Sequence, residues 1–274
     1  MKKLKIFSVV LLACSVALLT AFLLYEQANL DKTPPVIKCP VEELHVSIHT
    51  PEDSFLAGVT ATDDKSGDVT NALVVEKISA MTESGSRTVT YAAIDEAGNV
   101  GRAQRQLTYT DYQKPRFYFD DDLRLDHTTQ LTTLLSHIQA VSSMDGDLTE
   151  KIKFMQTDDS PLYTTGPKPI ELRVTDSAGT TVTLPVTVEL YRPEREQIRV
   201  RLKTYLLYLP QGAAFDAEQQ FAGAEPEGVL SVEGSVDTRV PGVYELDYVV
   251  RDEAQIGRSR LVVVVEAPGS EAVR

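Results

Sequence analysis

The chain has 274 residues, a 42% hydrophobic fraction and no tryptophan. That length exceeds one small domain and the apolar content is that of folded protein, so a wholly disordered chain is excluded. Net charge is −13, and beyond Lys2, Lys3 and Lys5 there are 24 basic against 40 acidic residues, a balance repelled by phosphate backbones, so nucleic acid is excluded as a partner.

The first element runs from Ile6 to Tyr25 without a charge. As a helix rising about 1.5 Å per residue it reaches the roughly 30 Å of a bilayer core, which predicts a transmembrane helix over 6–25. Lys2, Lys3 and Lys5 precede it while Glu26 and Asp31 follow, so residues 1–5 are expected in the cytoplasm and the body outside. A cleaved signal peptide competes, but its apolar core is shorter, and near Ala28 the bulky Glu26 stands where a small residue belongs. A lipoprotein signal is suggested by Leu11-Leu12-Ala13-Cys14, yet largely apolar residues continue past that cysteine. The expectation is an uncleaved anchor and a linker over 26–32.

Beyond the linker one unit repeats, and the repeat fixes the organisation before any strand is assigned. Its first copy carries Thr33-Pro34-Pro35-Val36-Ile37, then Ala57 to Asp63, then Gly67-Asp68-Val69-Thr70, then Thr88 to Asn99. The second answers with Lys114-Pro115-Arg116-Phe117, Ala140 to Asp145, Gly146-Asp147-Leu148-Thr149 and Leu172 to Thr180, at a near-constant offset of about 80. The third keeps Phe221-Ala222-Gly223-Ala224 and Pro241 to Asp252, but lacks the Gly-Asp-hydrophobic-Thr block and the Gly-Asn turn. Apolar residues alternate in Ile170, Leu172, Val174 and in Tyr244, Leu246, Tyr248, Val250, so each strand has one buried face.

The predicted class is therefore all-β: three tandem Ig-like antiparallel β-sandwiches over 33–110, 111–191 and 192–267, behind one transmembrane helix, with a frayed tail over 268–274. Leu131, Leu134, Leu135 and Ile138 fall at helical spacing and predict a short helix or helical turn within the second sandwich. The linkers Asp111-Tyr112-Gln113-Lys114 and Arg192-Pro193-Glu194-Arg195 are not Gly/Ser tethers, so the array is expected to be semi-rigid. Cys39 is the one thiol outside the apolar run, so stability must come from packing; it reads as a small buried residue or an intermolecular crosslink.

On Pro34-Pro35, Ala61-Thr62-Asp63 before Gly67-Asp68-Val69-Thr70, and Tyr91-Ala92-Ala93-Ile94-Asp95-Glu96-Ala97-Gly98-Asn99, the chain resembles bacterial Ig-like repeats of surface and pesticidal crystal proteins. These are related in pattern to HYR domains. The resemblance implies spacers, adhesive stalks or accessory modules without catalysis of their own.

Acidic residues collect at the turns: Asp63, Asp64, Asp68 and Asp95 in the first copy, Asp145, Asp147 and Asp176 in the second. Hard oxygen donors there could hold Ca²⁺, but Asp also suits turns by bonding its own backbone, and the spacing matches no EF-hand. Asp120, Asp121 and Asp122 read as a solvated loop, and His45 and His49 as solvent-facing residues on one face of a strand, short of the three or four ligands zinc needs. No Gly-x-Ser-x-Gly, His-Glu-x-x-His or phosphate-cradling loop is present, so no hydrolase or nucleotide motif and no catalytic residue is assigned. Leu209-Pro210-Gln211-Gly212 resembles a sortase signal but lies mid-domain, without its Thr or an apolar tail. The functional expectation is a non-catalytic, membrane-anchored surface protein for adhesion, spacing or assembly, its partner an extracellular protein. The alternative is an accessory module of a wall or polysaccharide enzyme complex that binds a cell-wall glycan.

Overall fold

The computed structural model describes residues 2–82, 85–159, 161, 164–253 and 255–268, so the expected frayed tail lies beyond them from 269 onward. Helix α1 (Lys2–Asn29) covers the apolar run. Side chains are described continuously in it only from 10 to 25, and among the described residues no helix is long and apolar enough to cross a membrane.

The rest is β-structure whose sheets fall into three pairs. First come β1 (Val36–Lys38), β2 (Glu43–Val46), β3 (Thr60–Asp63), β4 (Gly67–Asp68), β5 (Val74–Ile78), β6 (Ser86–Ile94) and β7 (Val100–Tyr109), ordered β1-β3-β4 and β2-β7-β6-β5. Next come β8 (Arg116–Phe119), β9 (Arg124–Asp126), β10 (Ile138–Ser142), β11 (Gly146–Asp147), β12 (Lys153–Gln156), β13 (Gly166–Thr175) and β14 (Thr181–Tyr191), ordered β8-β10-β11 and β9-β14-β13-β12. Last are β15 (Arg199–Leu202), β16 (Leu206–Pro210), β17 (Phe221–Glu225), β18 (Val229–Glu233), β19 (Gly242–Asp252) and β20 (Gln255–Glu266), ordered β15-β17 and β16-β20-β19-β18.

The three pairs share one topology. β9 lies parallel to β14 and β16 parallel to β20, while the long hairpins β13–β14 and β19–β20 are antiparallel. The third copy lacks only the short edge strand that Gly67-Asp68 and Gly146-Asp147 form, in keeping with its missing Gly-Asp block.

The repeated glycines have a backbone reason. Gly67 and Gly146 sit at φ 74° and 72°, and Gly98 and Gly179 at 90° and 85°, left-handed turns that suit glycine. In the third copy Asp252 pairs with Gln255, a tighter hairpin that puts Glu253 at φ 41° and dispenses with the Gly-Asn turn.

Alternation sets the cores. Across β13–β14, Ile170 faces Val186, Leu172 faces Leu184 and Val174 faces Val182, with the first two pairs buried and Val182 packed against them. In the first pair Tyr91 is buried and donates its hydroxyl to the Phe55 carbonyl at 2.9 Å; in the third, Tyr248 is buried and donates to the Ala217 carbonyl at 2.6 Å. The predicted helical stretch is a 3-10 helix, Leu131–His137, with Leu134 buried and Ile138 opening β10.

The chain divides into two compact units: 1–44 with 50–79 and 87–108, and 45–49 with 80–86 and 109–274. In the second unit the third pair keeps its own core of Val200, Leu246, Tyr248, Val250, Leu261 and Val263, and the core of the second pair reaches two of its residues. Phe117, Leu134, Ile138, Leu172 and Val188 of the second pair pack with Leu206 and Val262 of the third, and Tyr205, Tyr208, Val243 and Val264 lie against them.

Candidate functional site

In the first compact unit Asp31, Asp63 and Asp95 converge, one carboxylate oxygen from each lying within 4.8 Å of the others. Asp31 precedes β1, Asp63 ends β3 and Asp95 follows β6, so three separate segments meet. Asp95 is buried, and Asp31 and Asp63 are half-buried. Each of the outer two spends one oxygen on its own turn. Asp31 Oδ1 accepts from the Thr33 N–H (3.0 Å) and hydroxyl (3.1 Å), and Asp63 Oδ1 from the N–H groups of Lys65 (3.0 Å) and Ser66 (2.7 Å).

The Oδ2 atoms of both are shut off from solvent and have no hydrogen-bond partner. Asp95 is engaged at both oxygens, by the Asn99 N–H and side-chain amide, each at 2.8 Å. Like charges so close repel, and desolvation weakens the water that would screen them. The backbone N–H of Ser66 outweighs the opposing effect of burial and holds the Asp63 carboxyl below its usual range, which keeps it ionised.

The second copy resolves the same place differently. Asp111, Ser142 and Asp176 stand at the positions equivalent to Asp31, Asp63 and Asp95. Asp111 turns to Ser47 Oγ (2.6 Å) and the Ile48 N–H (2.8 Å), and the Ser142 hydroxyl accepts from the Met144 N–H at 3.1 Å. The Tyr112 hydroxyl donates to Asp176 Oδ2 at 2.6 Å, and burial, aided by that carboxylate, pushes the phenol above its ordinary range. A phenol O–H there serves Asp176 Oδ2, the place that the Asn99 side-chain amide takes at Asp95 Oδ2 in the first copy.

Of the four aspartates singled out for Ca²⁺, then, Asp63 and Asp95 come together, joined by Asp31, which the turn pattern did not flag. Asp64 is exposed and outside the cluster. Asp68 accepts the Thr70 N–H at 2.9 Å, as Asp147 does from Thr149 at 2.8 Å, so both serve their turns. His45 and His49 do not share a strand face, because β2 ends at Val46 and His49 lies in the following turn. His137 Nδ1 lies 2.9 Å from Asp120. The solvated-loop expectation holds for the exposed Asp120 and Asp121 and fails for Asp122, where burial, opposed by Arg124, raises the carboxyl to about 6.

A second polar constellation joins the later sheet pairs. Arg124, its side chain 5% exposed, forks onto Glu196 at 2.6 and 2.8 Å, donates to the Arg258 carbonyl at 2.9 Å and lies 4.5 Å over the Tyr191 ring. Arg260 bridges Asp247 (2.7 Å) and the Thr187 carbonyl (3.2 Å), while Glu245 accepts the Thr187 N–H at 2.6 Å. Arg116 pairs with Glu266 at 2.7 Å and sits 4.8 Å over Tyr208. Beside Arg124 a cleft of about 340 Å³ opens between Asp121, Asp122, Tyr191, Tyr205 and Arg258. Charge alternation in sequence does not reveal these pairs, because their partners lie 13 to 150 residues apart.

Paired, largely antiparallel sheets with this order, each long sheet closed by one parallel strand in the second and third pairs, form Ig-like β-sandwich modules. Residues 30–109 match the family model of the HYR domain. No curated protein matches the chain. Among solved structures it is similar to CBM51-2 in complex with GlcNAc and INT domains of Clostridium perfringens ZmpB: 16% identity, 85% of this chain, 42% of that one, TM-score 0.23. The lipoprotein BT2262 of Bacteroides thetaiotaomicron is similar at 11% identity over 83% of this chain and 98% of its own, TM-score 0.21. Human CDH23 EC21-23 is similar at 14% identity over 85% and 100%, TM-score 0.21. The chain spans less than half of the ZmpB structure, and none of these likenesses extends to function.

Proposed function

We propose that the chain is a non-catalytic extracytoplasmic protein, held to a membrane by its N-terminal segment, that presents Ig-like sandwiches as a spacer, adhesive or assembly surface. The observation that carries this reading is the apolar junction of the second and third sandwiches, where Leu206 and Val262 of the third join the core of Leu172 and Val188 in the second. A junction packed like a domain interior and tied by buried arginines resists bending, which suits a mechanical role. The tether is supported by the uncharged run Ile6 to Tyr25 inside α1 and by the lysines before it.

A second reading, a glycan- or substrate-binding accessory module, draws on the cleft beside Arg124, with its tyrosines, carboxylates and arginines. Crosslinking on intact cells and pull-down on purified wall glycan separate the two. Capture of a protein partner with no glycan retention supports the first; retention by glycan alone, lost on Tyr191→Ala, replaces it with the second.

A further inference from the structure

We infer that Asp31, Asp63 and Asp95 form a site for a hard divalent cation of the Ca²⁺ class, which pins the segment entering the first sandwich to the ends of β3 and β6. Two observations converge. The carboxylate oxygens lie within 4.8 Å of one another, close enough for one ion to touch all three. Two of those carboxylates each hold an oxygen closed to solvent and without a partner, and a buried acceptor with no donor is what a cation satisfies.

The chain also carries its own control. Where the second copy replaces Asp63 by Ser142 and turns Asp111 aside, the remaining carboxylate of Asp176 is capped by the Tyr112 hydroxyl. The first copy keeps three carboxylates; the Asn99 amide caps Asp95 Oδ2, and the Oδ2 atoms of Asp31 and Asp63 are left without a donor. Oxygen-only donors without cysteine or histidine favour Ca²⁺ over zinc or copper. The turn bonds at Asp31 Oδ1 and Asp63 Oδ1 hold both side chains in place and leave each Oδ2 without a donor. Asp31 comes from the stretch between α1 and β1, so the ion ties that stretch to the sandwich.

The test uses the full chain in detergent, stripped with chelator, then titrated with CaCl₂ by calorimetry and melted with and without it. The expected result is saturable binding and a melting midpoint of the first sandwich raised by roughly 10–20 °C at about 100 times Kd, with slower amide exchange at Lys32 and Thr33. Asp31→Asn and Asp63→Asn keep the turn-bonding oxygen, so both should fold. Each should weaken binding at least tenfold, roughly the loss of one charged ligand. Asp68→Asn, outside the cluster, should keep the full Ca²⁺ response. Absence of heat and of any midpoint shift in the wild-type chain would overturn the assignment, as would a shift that survives in both Asp31→Asn and Asp63→Asn.

Discussion

Replacing Arg124 by Met should destabilise the second compact unit by about 3–5 kcal/mol, the cost of stranding a buried partner. The magnitude follows from the surroundings. Arg124 and Glu196 side chains are 5% and 10% exposed, so the carboxylate left behind has little access to water. Arg258 lies 3.7 Å from the same carboxylate and recovers part of the loss, which places the outcome toward the lower end. Met also gives up the bond to the Arg258 carbonyl and the stacking on Tyr191, and keeps the apolar stem. The double variant Arg124→Met with Glu196→Met removes both charges and should return to within about 1–2 kcal/mol of the parent. Hydrogen exchange of β19 and β20 amides in rising urea reads this unit specifically. A loss below about 1 kcal/mol, or a double variant no better than the single, refutes the claim that this ion pair is buried and coupled.

Leu206→Ala, at the apolar junction of two sandwiches, should cost about 2–5 kcal/mol and split one urea transition of the second unit into two; a single unshifted transition counts against the packed junction. Gly101→Ala and Gly257→Ala should each lose about 1–3 kcal/mol in thermal or urea melts, because a Cβ there meets the Pro35 and Ile198 carbonyl oxygens. Burial lifts Asp122 to about 6 from 3.8, so its protonated form is favoured in the fold. Stability from this group is present below about pH 4 and lost as pH rises through about 6, up to roughly 3 kcal/mol. Melts of Asp122→Asn against pH should therefore be flatter than the parent's and higher above pH 7.

The strand pattern was legible because alternation and turn glycines act locally: Leu172 and Val174 face inward, and Gly67 and Gly146 take left-handed turns, wherever the rest of the chain goes. The third copy was harder to read, since its Gly-Asp edge strand is gone and its closing hairpin is tighter. A signal was nevertheless present: Val100-Gly101-Arg102 recurs as Ile256-Gly257-Arg258, each glycine accommodating the carbonyl of the residue just before the first strand of its own sandwich. The carboxylate cluster was half legible. Asp63 and Asp95 stand at turns, but Asp31 lies in what reads as linker, and only folding brings residues 32 and 64 positions apart into contact. Asp122 looked solvated beside Asp120 and Asp121; its burial comes from the third sandwich docking against the second, a contact no local pattern encodes.

The central claim, a tethered protein with its sandwiches outside the cell, is tested most directly by topology. With Cys14 and Cys39 replaced by Ser and one cysteine placed at exposed Thr132, a membrane-impermeant maleimide is applied to intact cells and the membranes are then washed with carbonate. The account predicts that Thr132→Cys is labelled without lysis and that the labelled chain stays in the membrane pellet. Labelling only after lysis, or release of the chain by carbonate, would contradict it.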